Sequence, residues 1–206
     1  MYEFLTHTWN TVKGKCPHDC SYCYMKRFPQ KDVRFAESEL KTNLGAGNTI
    51  FVGSSCDMFA KKIPLEWIDE TIRHCKNYPK NTYLFQTRNT YCFNYVDFPP
   101  EVVLSTTIES NRDYFPISGG PKVVERAINL RAMSLKGYKT MITIEPVMDF
   151  DIDEMVKLIK YCRPNWINLG ADSGRNNLPE PSKEKLLELI SRLDIRMKKN
   201  FNRLLK

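Results

Sequence analysis

Residues 16–23 read Cys16-Pro17-His18-Asp19-Cys20-Ser21-Tyr22-Cys23. This sequence spaces three cysteines as C-x3-C-x2-C on one loop, directly after the first predicted strand. Each thiolate can bind one corner of a 4Fe-4S cluster, which leaves the fourth iron open to a small chelating molecule. An electron-transfer cluster normally has a fourth cysteine ligand. The spacing therefore favours a cluster with one open iron, held by Cys16, Cys20 and Cys23.

Two alternatives compete with this cluster. A structural zinc site would need a fourth ligand, with His18 or His7 nearest, but zinc loops usually pair two Cys/His knuckles. The second alternative is coincidence, with three free buried thiols. The other four cysteines are scattered singletons, and the total of seven is odd, which argues against a disulfide framework. They are Cys56, Cys75, Cys92 and Cys162.

Short β-rich runs alternate with longer amphipathic segments, a rhythm typical of parallel βαβ units. The predicted strands are Phe4–Val12, Thr49–Ser54, Thr82–Thr87, Val102–Ile108, Thr140–Glu145 and Trp166–Gly170. The predicted helices are Leu65–Asn77, Lys122–Leu135, Asp151–Tyr161 and Lys183–Leu205, with Asp32–Leu44 a further candidate. The aromatic, proline-containing segment Tyr91–Pro100 is left unassigned.

This order of elements predicts an α/β fold, an open partial (β/α)6 barrel with the cysteine loop after its first strand. A closed eightfold barrel typically needs about 250 residues, more than this chain has. A flat doubly wound sheet is the alternative. In either arrangement, functional side chains belong at the carboxyl ends of the parallel strands.

Length and composition indicate one globular domain over residues 1–206. The chain has 206 residues and is 42% hydrophobic and 27% charged, close to ordinary globular usage. No apolar run approaches the roughly 18–20 residues of a membrane span, and Met1–Asn10 does not resemble a signal peptide. We therefore expect a cytoplasmic protein without a membrane partner.

The chain is mildly basic, with 31 Lys and Arg against 24 Asp and Glu and a net charge of +7. This balance is compatible with a polyanionic partner such as nucleic acid. A solvated, basic helix end explains part of the excess equally well. The residues concerned are Arg196, Lys198, Lys199, Arg203 and Lys206.

The three cysteines, with aromatic Tyr22 before the last one, resemble the signature of the radical S-adenosylmethionine (SAM) superfamily. Further segments, in the expected order at predicted strand ends, resemble a phage-associated family of short radical SAM-like proteins. These segments are His7–Asn10, Phe51–Phe59, Thr143–Pro146 and Asn168–Gly174. The resemblance implies two cofactors, a 4Fe-4S cluster and S-adenosylmethionine. It also implies an electron donor of the flavodoxin or ferredoxin type, whose electron drives cleavage of S-adenosylmethionine to a 5′-deoxyadenosyl radical that abstracts hydrogen from a substrate.

The resemblance also implies cofactor contacts at the strand ends. Gly53-Ser54-Ser55 stands where the superfamily has a Gly-Gly-Glu-like turn, and since it lacks the acidic residue, hydroxyls or Asp57 would have to substitute. Glu109 can accept two hydrogen bonds from a ribose diol, although capping of a helix is nearly as good an explanation. The cofactor-binding candidates are Tyr22, Gly53, Ser54, Ser55, Gln86, Thr107, Glu109, Glu145, Gly170 and Ala171. The substrate-side candidates are Asp57, Arg88, Asp172 and Arg175.

The reaction is not specified by the fold and cofactors, because radical SAM enzymes catalyse many reactions. The basic balance, the aromatic segment (Tyr91, Phe93, Tyr95, Phe98) and the phage-like resemblance favour a nucleobase or nucleotide substrate. A small metabolite or amino acid derivative is the second possibility. A zinc-stabilised nucleic-acid-binding module is a third, non-enzymatic one.

Overall fold

The computed structural model describes residues 2–206 and is built around a seven-stranded parallel sheet. The sheet order is β1 (His7–Trp9), β4 (Thr49–Val52), β5 (Thr82–Gln86), β6 (Val102–Thr107), β7 (Lys139–Ile144), β8 (Trp166–Leu169) and β9 (Ile195–Met197). Two further strands, β2 (Val12–Lys13) and β3 (Arg34–Phe35), form a separate antiparallel ribbon. Because β1 and β9 lie at opposite edges, the sheet is open, and the predicted open α/β architecture is confirmed.

Four α-helices connect neighbouring strands of the sheet from β4 onwards. They are α1 (Leu65–Lys76), α2 (Val123–Leu135), α3 (Ile152–Cys162) and α4 (Lys183–Arg192). In α1, the apolar residues Ile68, Ile72 and Cys75 follow a helical spacing and are buried. Among residues 2–206, no helix combines the length and the apolar character needed to cross a membrane.

The end of the chain differs from the prediction of one helix over Lys183–Leu205. The helix stops at Arg192, β9 pairs with β8, and a 3-10 helix covers Lys199–Leu205. In β9, Ile195 lies opposite Ile167 of β8. Pairing with the sheet edge therefore prevails over local helix propensity, and a seventh strand joins the six that were predicted.

The segment after the cysteine loop is not the helix predicted over Asp32–Leu44. It contains β3 and a short 3-10 helix over Glu37–Lys41. Val12 of β2 pairs with Phe35 of β3, and the Ala36 amide donates to the Thr11 carbonyl over 2.7 Å. Backbone pairing with the chain before the cysteine loop thus takes the place of a helix.

The two faces of the sheet are covered by different parts of the chain. Tyr83, Phe85 and Leu104 belong to the main core beneath the helices. Leu84 and Val103 point to the other face, as alternation along strands requires, and there they pack against Tyr2 and Leu5. The predicted strand Phe4–Val12 is therefore shorter, because its first residues fold back as a turn that fills the inner face.

Candidate active site

A cavity of about 610 Å³ opens at the carboxyl ends of the parallel strands. Its volume lies within the range of ligand-binding cavities. Most of the predicted site residues line it: Cys16, Cys20, Tyr22, Cys23, Gly53, Ser54, Ser55, Asp57, Gln86, Arg88, Thr107, Glu145, Ala171 and Asp172. The cavity lining does not include Glu109, Gly170 or Arg175.

The cysteine loop packs against the loop that precedes α2. The Ser21 amide donates to the Ile117 carbonyl over 2.8 Å, and the Cys20 sulfur lies 3.3 Å from the Ser118 hydroxyl. Cys56, which was not predicted as a site residue, also lines the cavity. A hydrogen bond from its thiol lowers the pKa of Cys16 to about 6.

The donor set fits an iron–sulfur cluster. Cys16, Cys20 and Cys23 are free thiols that line one cavity. Within residues 2–206, no three His, Cys, Asp or Glu side chains surround a position for a single metal ion. A cluster has a different requirement, because each thiolate binds a different iron.

Asp57 anchors the cysteine loop to the end of β5. Its Oδ2 atom lies 2.9 Å from His18 Nε2 and accepts hydrogen bonds from Thr87 Oγ1 (2.8 Å) and the Arg88 amide (2.9 Å). Burial raises the pKa of Asp57, but these partners outweigh burial and hold the pKa below its usual value. The carboxylate expected to face a ligand is thus occupied by the protein itself.

Glu109 was expected to bind the ribose diol, and in the structure its carboxylate is already engaged by protein side chains. The residue is 2% exposed, and its carboxylate lies between the Arg88 and Arg126 guanidinium groups. It also accepts a hydrogen bond from the Tyr22 hydroxyl. Burial raises the pKa of Glu109, but the two arginines outweigh it and lower the pKa to about 2. The Glu109 carboxylate and the Arg88 side chain are therefore both engaged with protein partners.

Gly170 was predicted to be a cofactor-binding residue, and in the structure it makes room for Glu145. A Cβ atom on Gly170 would lie 2.6 Å from Glu145 Oε1. The Glu145 carboxylate lines the cavity and binds Lys198 Nζ and Asn200 Nδ2. Lys198 was interpreted as part of a solvated helix end, yet it lines the cavity as well. The alternation of apolar and basic residues over 195–198 was the available signal for a strand that delivers this lysine.

The two outermost substrate-side candidates do not present free charges to the cavity. The Asp172 carboxylate accepts hydrogen bonds from the Gly174 amide (2.9 Å) and Asn176 Nδ2 (2.7 Å), which close a local turn. Arg175 lies outside the cavity lining.

The inner wall of the cavity is a chain of neutral polar groups. Tyr2 donates to Gln86 Oε1 over 2.6 Å and contacts the Thr143 hydroxyl, while Gln86 Nε2 donates to Thr107 Oγ1 over 3.1 Å. Burial raises the pKa of Tyr2, so its hydroxyl stays protonated. Tyr2 was not predicted, because no pattern marks a tyrosine that reaches the site through an N-terminal turn. We refer to Tyr2, Gln86, Thr107 and Thr143 as the neutral wall.

An open parallel sheet with helices is the fold of radical SAM partial barrels. Solved structures of radical SAM enzymes share it. A spore photoproduct lyase variant superposes with a TM-score of 0.61 at 12% identity, covering 97% of this chain and 64% of that chain. A second variant, with bound AdoMet and dinucleoside spore photoproduct, gives a TM-score of 0.58 at 12% identity, covering 93% of this chain and 62% of that chain. Streptococcus suis SuiB gives a TM-score of 0.59 at 9% identity, covering 95% of this chain and 49% of that chain.

These likenesses show that the chain has the radical SAM fold. The chain spans about 64% of the length of the spore photoproduct lyase chain. No protein-family model and no curated relative matches the sequence. The resemblance to a phage-associated family is not tested by these structures and stays a prediction.

Proposed function

We propose that this protein is a radical SAM enzyme that binds a 4Fe-4S cluster and S-adenosylmethionine. The observation that carries the proposal is the convergence of three free cysteines from one loop with polar strand-end residues on one cavity. When bound, the two cofactors supply a 5′-deoxyadenosyl radical, while the protein positions the reactants and excludes water. A one-electron donor of the flavodoxin or ferredoxin type is part of this proposal.

In this proposal, Cys16, Cys20 and Cys23 hold the cluster, and the turn after β4 binds the methionyl end of S-adenosylmethionine. Gly53 has a φ of +78°, which favours glycine. Asn10 fixes the same turn, because its Oδ1 atom accepts hydrogen bonds from Ser54 Oγ (3.2 Å) and the Ser55 amide (2.9 Å). The turn is therefore held in shape before a ligand binds.

The nucleoside part of S-adenosylmethionine would lie farther along the strand ends. Tyr22 and Ala171 line the cavity and offer surfaces for an adenine ring, while Thr107 and Gln86 offer hydrogen bonds. Glu145 is held by Lys198, which limits its freedom to move towards the bound nucleoside. We retain these residues as proposed cofactor contacts.

We further propose a nucleobase or nucleotide as the substrate. Tyr2 and Thr143, the members of the neutral wall not assigned to the cofactor, line the cavity and offer hydroxyl groups, which can pair with the polar edge of a base. One neighbour in fold is a spore photoproduct lyase complexed with dinucleoside spore photoproduct. The predicted aromatic segment no longer supports this substrate, because Phe93 and Phe98 are core residues. Tyr24 and Arg27, both exposed at the cavity, supply stacking and phosphate contacts instead.

A small amino acid derivative is the second candidate substrate. Lys198 and Glu145 present a cation and an anion side by side on the cavity wall. Such a pair complements a zwitterion, whose carboxylate and ammonium groups could pair with Lys198 and Glu145 respectively.

Anaerobic reconstitution with iron and sulfide tests the proposed function. We expect bound iron, acid-labile sulfide and, with dithionite and S-adenosylmethionine, release of 5′-deoxyadenosine. Replacing Cys16, Cys20 or Cys23 by Ala removes a thiolate ligand and is expected to abolish cluster retention. Cys92→Ala is the matched control, since Cys92 is buried away from the cavity.

Either of two results would contradict the assignment. One is a Cys20→Ala variant that keeps its full iron content. The other is a wild-type protein that binds zinc and fails to assemble iron and sulfide.

A further inference from the structure

Arg88, Glu109 and Arg126 form a buried charged group, which we call the Arg–Glu–Arg triad. Glu109 pairs with Arg88 through Oε1 and with Arg126 through Oε2, the latter over 2.8 Å. Arg126 also donates to the Thr107 and Pro121 carbonyls over 2.6 and 2.9 Å. The triad therefore ties the ends of β5 and β6 to the start of α2.

The triad carries one net positive charge, because two guanidinium cations face one carboxylate. Arg88 is 8% exposed and Arg126 is 5% exposed, so water screens this charge poorly. The neighbouring buried carboxylate, Asp57, is engaged separately with His18 and the Arg88 backbone amide. The positive charge in excess of the Glu109 carboxylate is costly to bury and favours a further anion nearby.

The triad lies directly against the cysteine loop. The Arg88 guanidinium carbon is 5.6 Å from the centre of the Tyr22 ring, and Arg88 donates a hydrogen bond to the Tyr22 hydroxyl. The Arg88 side chain also packs against Gly120, where a Cβ atom would lie 2.9 Å from Arg88 Cδ. The Gly120 amide and the Cys20 sulfur share the Ser118 hydroxyl as a partner, each at 3.3 Å. Arg88 lines the cavity with Cys20, whereas Arg126 does not.

We propose that the Arg–Glu–Arg triad raises the reduction potential of the cluster held by Cys16, Cys20 and Cys23, and that Arg88 is the residue through which it acts. This inference rests on the proposed function. An external one-electron donor, such as a reduced flavodoxin or dithionite, gives one electron to the cluster, and no bond forms or breaks. The negative charge of the cluster and its thiolates grows by that electron. A fixed cation nearby therefore stabilises the reduced form more than the oxidised form.

Removing the negative charge of the triad and removing one of its positive charges should shift the reduction potential of the cluster in opposite directions. Glu109→Gln removes a negative charge while keeping the shape of the side chain, so the reduced cluster should gain stability. Arg88→Met removes a positive charge next to the loop, so the reduced cluster should lose stability. Arg88→Lys keeps the charge and serves as the matched control for lost hydrogen bonds. Arg126→Met also removes one positive charge, but at a position outside the cavity lining. It should lower the reduction potential as Arg88→Met does, by a smaller amount.

The measurement is the midpoint potential of the reconstituted cluster, followed by electron paramagnetic resonance during an anaerobic redox titration without S-adenosylmethionine. At a fixed potential, we expect the ratio of reduced to oxidised cluster to fall about tenfold in Arg88→Met. The same ratio should rise about tenfold in Glu109→Gln. Tenfold corresponds to about 59 mV for a one-electron couple. Arg88→Lys should stay close to the wild-type potential.

The proposal is overturned if Glu109→Gln and Arg88→Met shift the potential in the same direction, or if neither shifts it. It is also overturned if Arg88→Lys shifts it as much as Arg88→Met. Should Arg88→Met fail to fold, Glu109→Gln and Arg88→Lys still decide the matter. Failure of the wild-type protein to assemble a cluster would instead contradict the proposed function.

Discussion

Glu109 shows how a single buried residue links the stability of this protein to pH. Its carboxylate is enclosed by Arg88 and Arg126, and although burial alone would raise its pKa, the two cations hold the pKa at about 2 in the folded state. In the unfolded chain the carboxyl group has its ordinary pKa, near 4.5. The ionised form therefore binds its partners only in the folded protein.

The folded-state pKa of Glu109 is depressed, so its contribution to stability is fully present above about pH 4.5 and is lost as the pH falls towards 2. We expect the wild-type protein to lose roughly 2 kcal/mol more unfolding free energy than Glu109→Gln between pH 7 and pH 3, because protons bind Glu109 in the unfolded chain but hardly at all in the folded protein over this range. Urea unfolding of both proteins at pH 7, 4.5 and 3 measures the difference. Parallel pH profiles for the two proteins would contradict the role of the ionised carboxylate.

At the scale of elements, β9 connects the edge of the sheet to the cavity. The Lys198 amide donates to the Leu169 carbonyl of β8 over 2.8 Å, and the Lys198 side chain then reaches Glu145. Asn200, two residues later, donates to the Ala171 carbonyl and to Glu145. Pairing of a short strand thus delivers two polar side chains to the site.

Amides alternate in direction along a strand, so the Arg196 amide faces β8, as the Lys198 amide does, and the Met197 amide faces away. We expect Arg196→Pro to remove a ladder hydrogen bond and to cost about 1–3 kcal/mol of unfolding free energy. Met197→Pro is the matched control, at an exposed position on the same strand. Chemical denaturation of the two variants measures the difference, and equal stabilities would argue against β9 as a paired strand.

The elements that sequence reasoning predicted correctly are those whose own residues specify them. Val102–Ile108 was predicted from its apolar and β-branched residues, and the observed β6 is buried at every position. β9 and the turn at Tyr2 depend on partners that are distant in sequence, and no local pattern specifies such pairing. The same reason applies to the site. The expectation that functional side chains lie at the carboxyl ends of parallel strands identified most of the cavity residues. The partners that enclose Glu109 and Asp57 became visible only in three dimensions.

At the scale of the whole molecule, the net charge of +7 and the cavity mouth bear on the substrate. Tyr24 and Arg27 line the mouth, and the Tyr24 hydroxyl donates to the Ser54 carbonyl over 2.9 Å. The Tyr24 side chain is 51% exposed, which leaves a face for stacking. A base within a duplex would have to leave the stack to enter this cavity.

We therefore expect labelled single-stranded DNA to bind more tightly than duplex DNA, with affinity about tenfold weaker at 200 mM than at 50 mM salt. Tyr24→Ala should cost about 1–3 kcal/mol of binding free energy through lost stacking. Tyr91→Ala is the matched control, because Tyr91 is 59% exposed but lies away from the cavity. Fluorescence anisotropy at the two salt concentrations measures both effects.

The proposal of a nucleobase substrate is wrong if neither single-stranded nor duplex DNA binds in a salt-sensitive way and no DNA, RNA or nucleotide increases 5′-deoxyadenosine release. An increase with amino acid derivatives would then support the second candidate.

The connection between β1 and β4, residues 10–48, has a consequence for the entropy of folding. This long crossover contains the cysteine loop and the β2–β3 ribbon but no α-helix. Closing such a loop costs conformational entropy that grows with the logarithm of its length, so each attachment of the loop to the rest of the protein shortens the free segment. The contacts of His18 with Asp57 and of Ser21 with Ile117 are two such attachments. In the proposed function, a cluster bound to Cys16, Cys20 and Cys23 would fix three points of the loop and lower the entropic cost further, so docking of the first strand and assembly of the cluster would be thermodynamically linked.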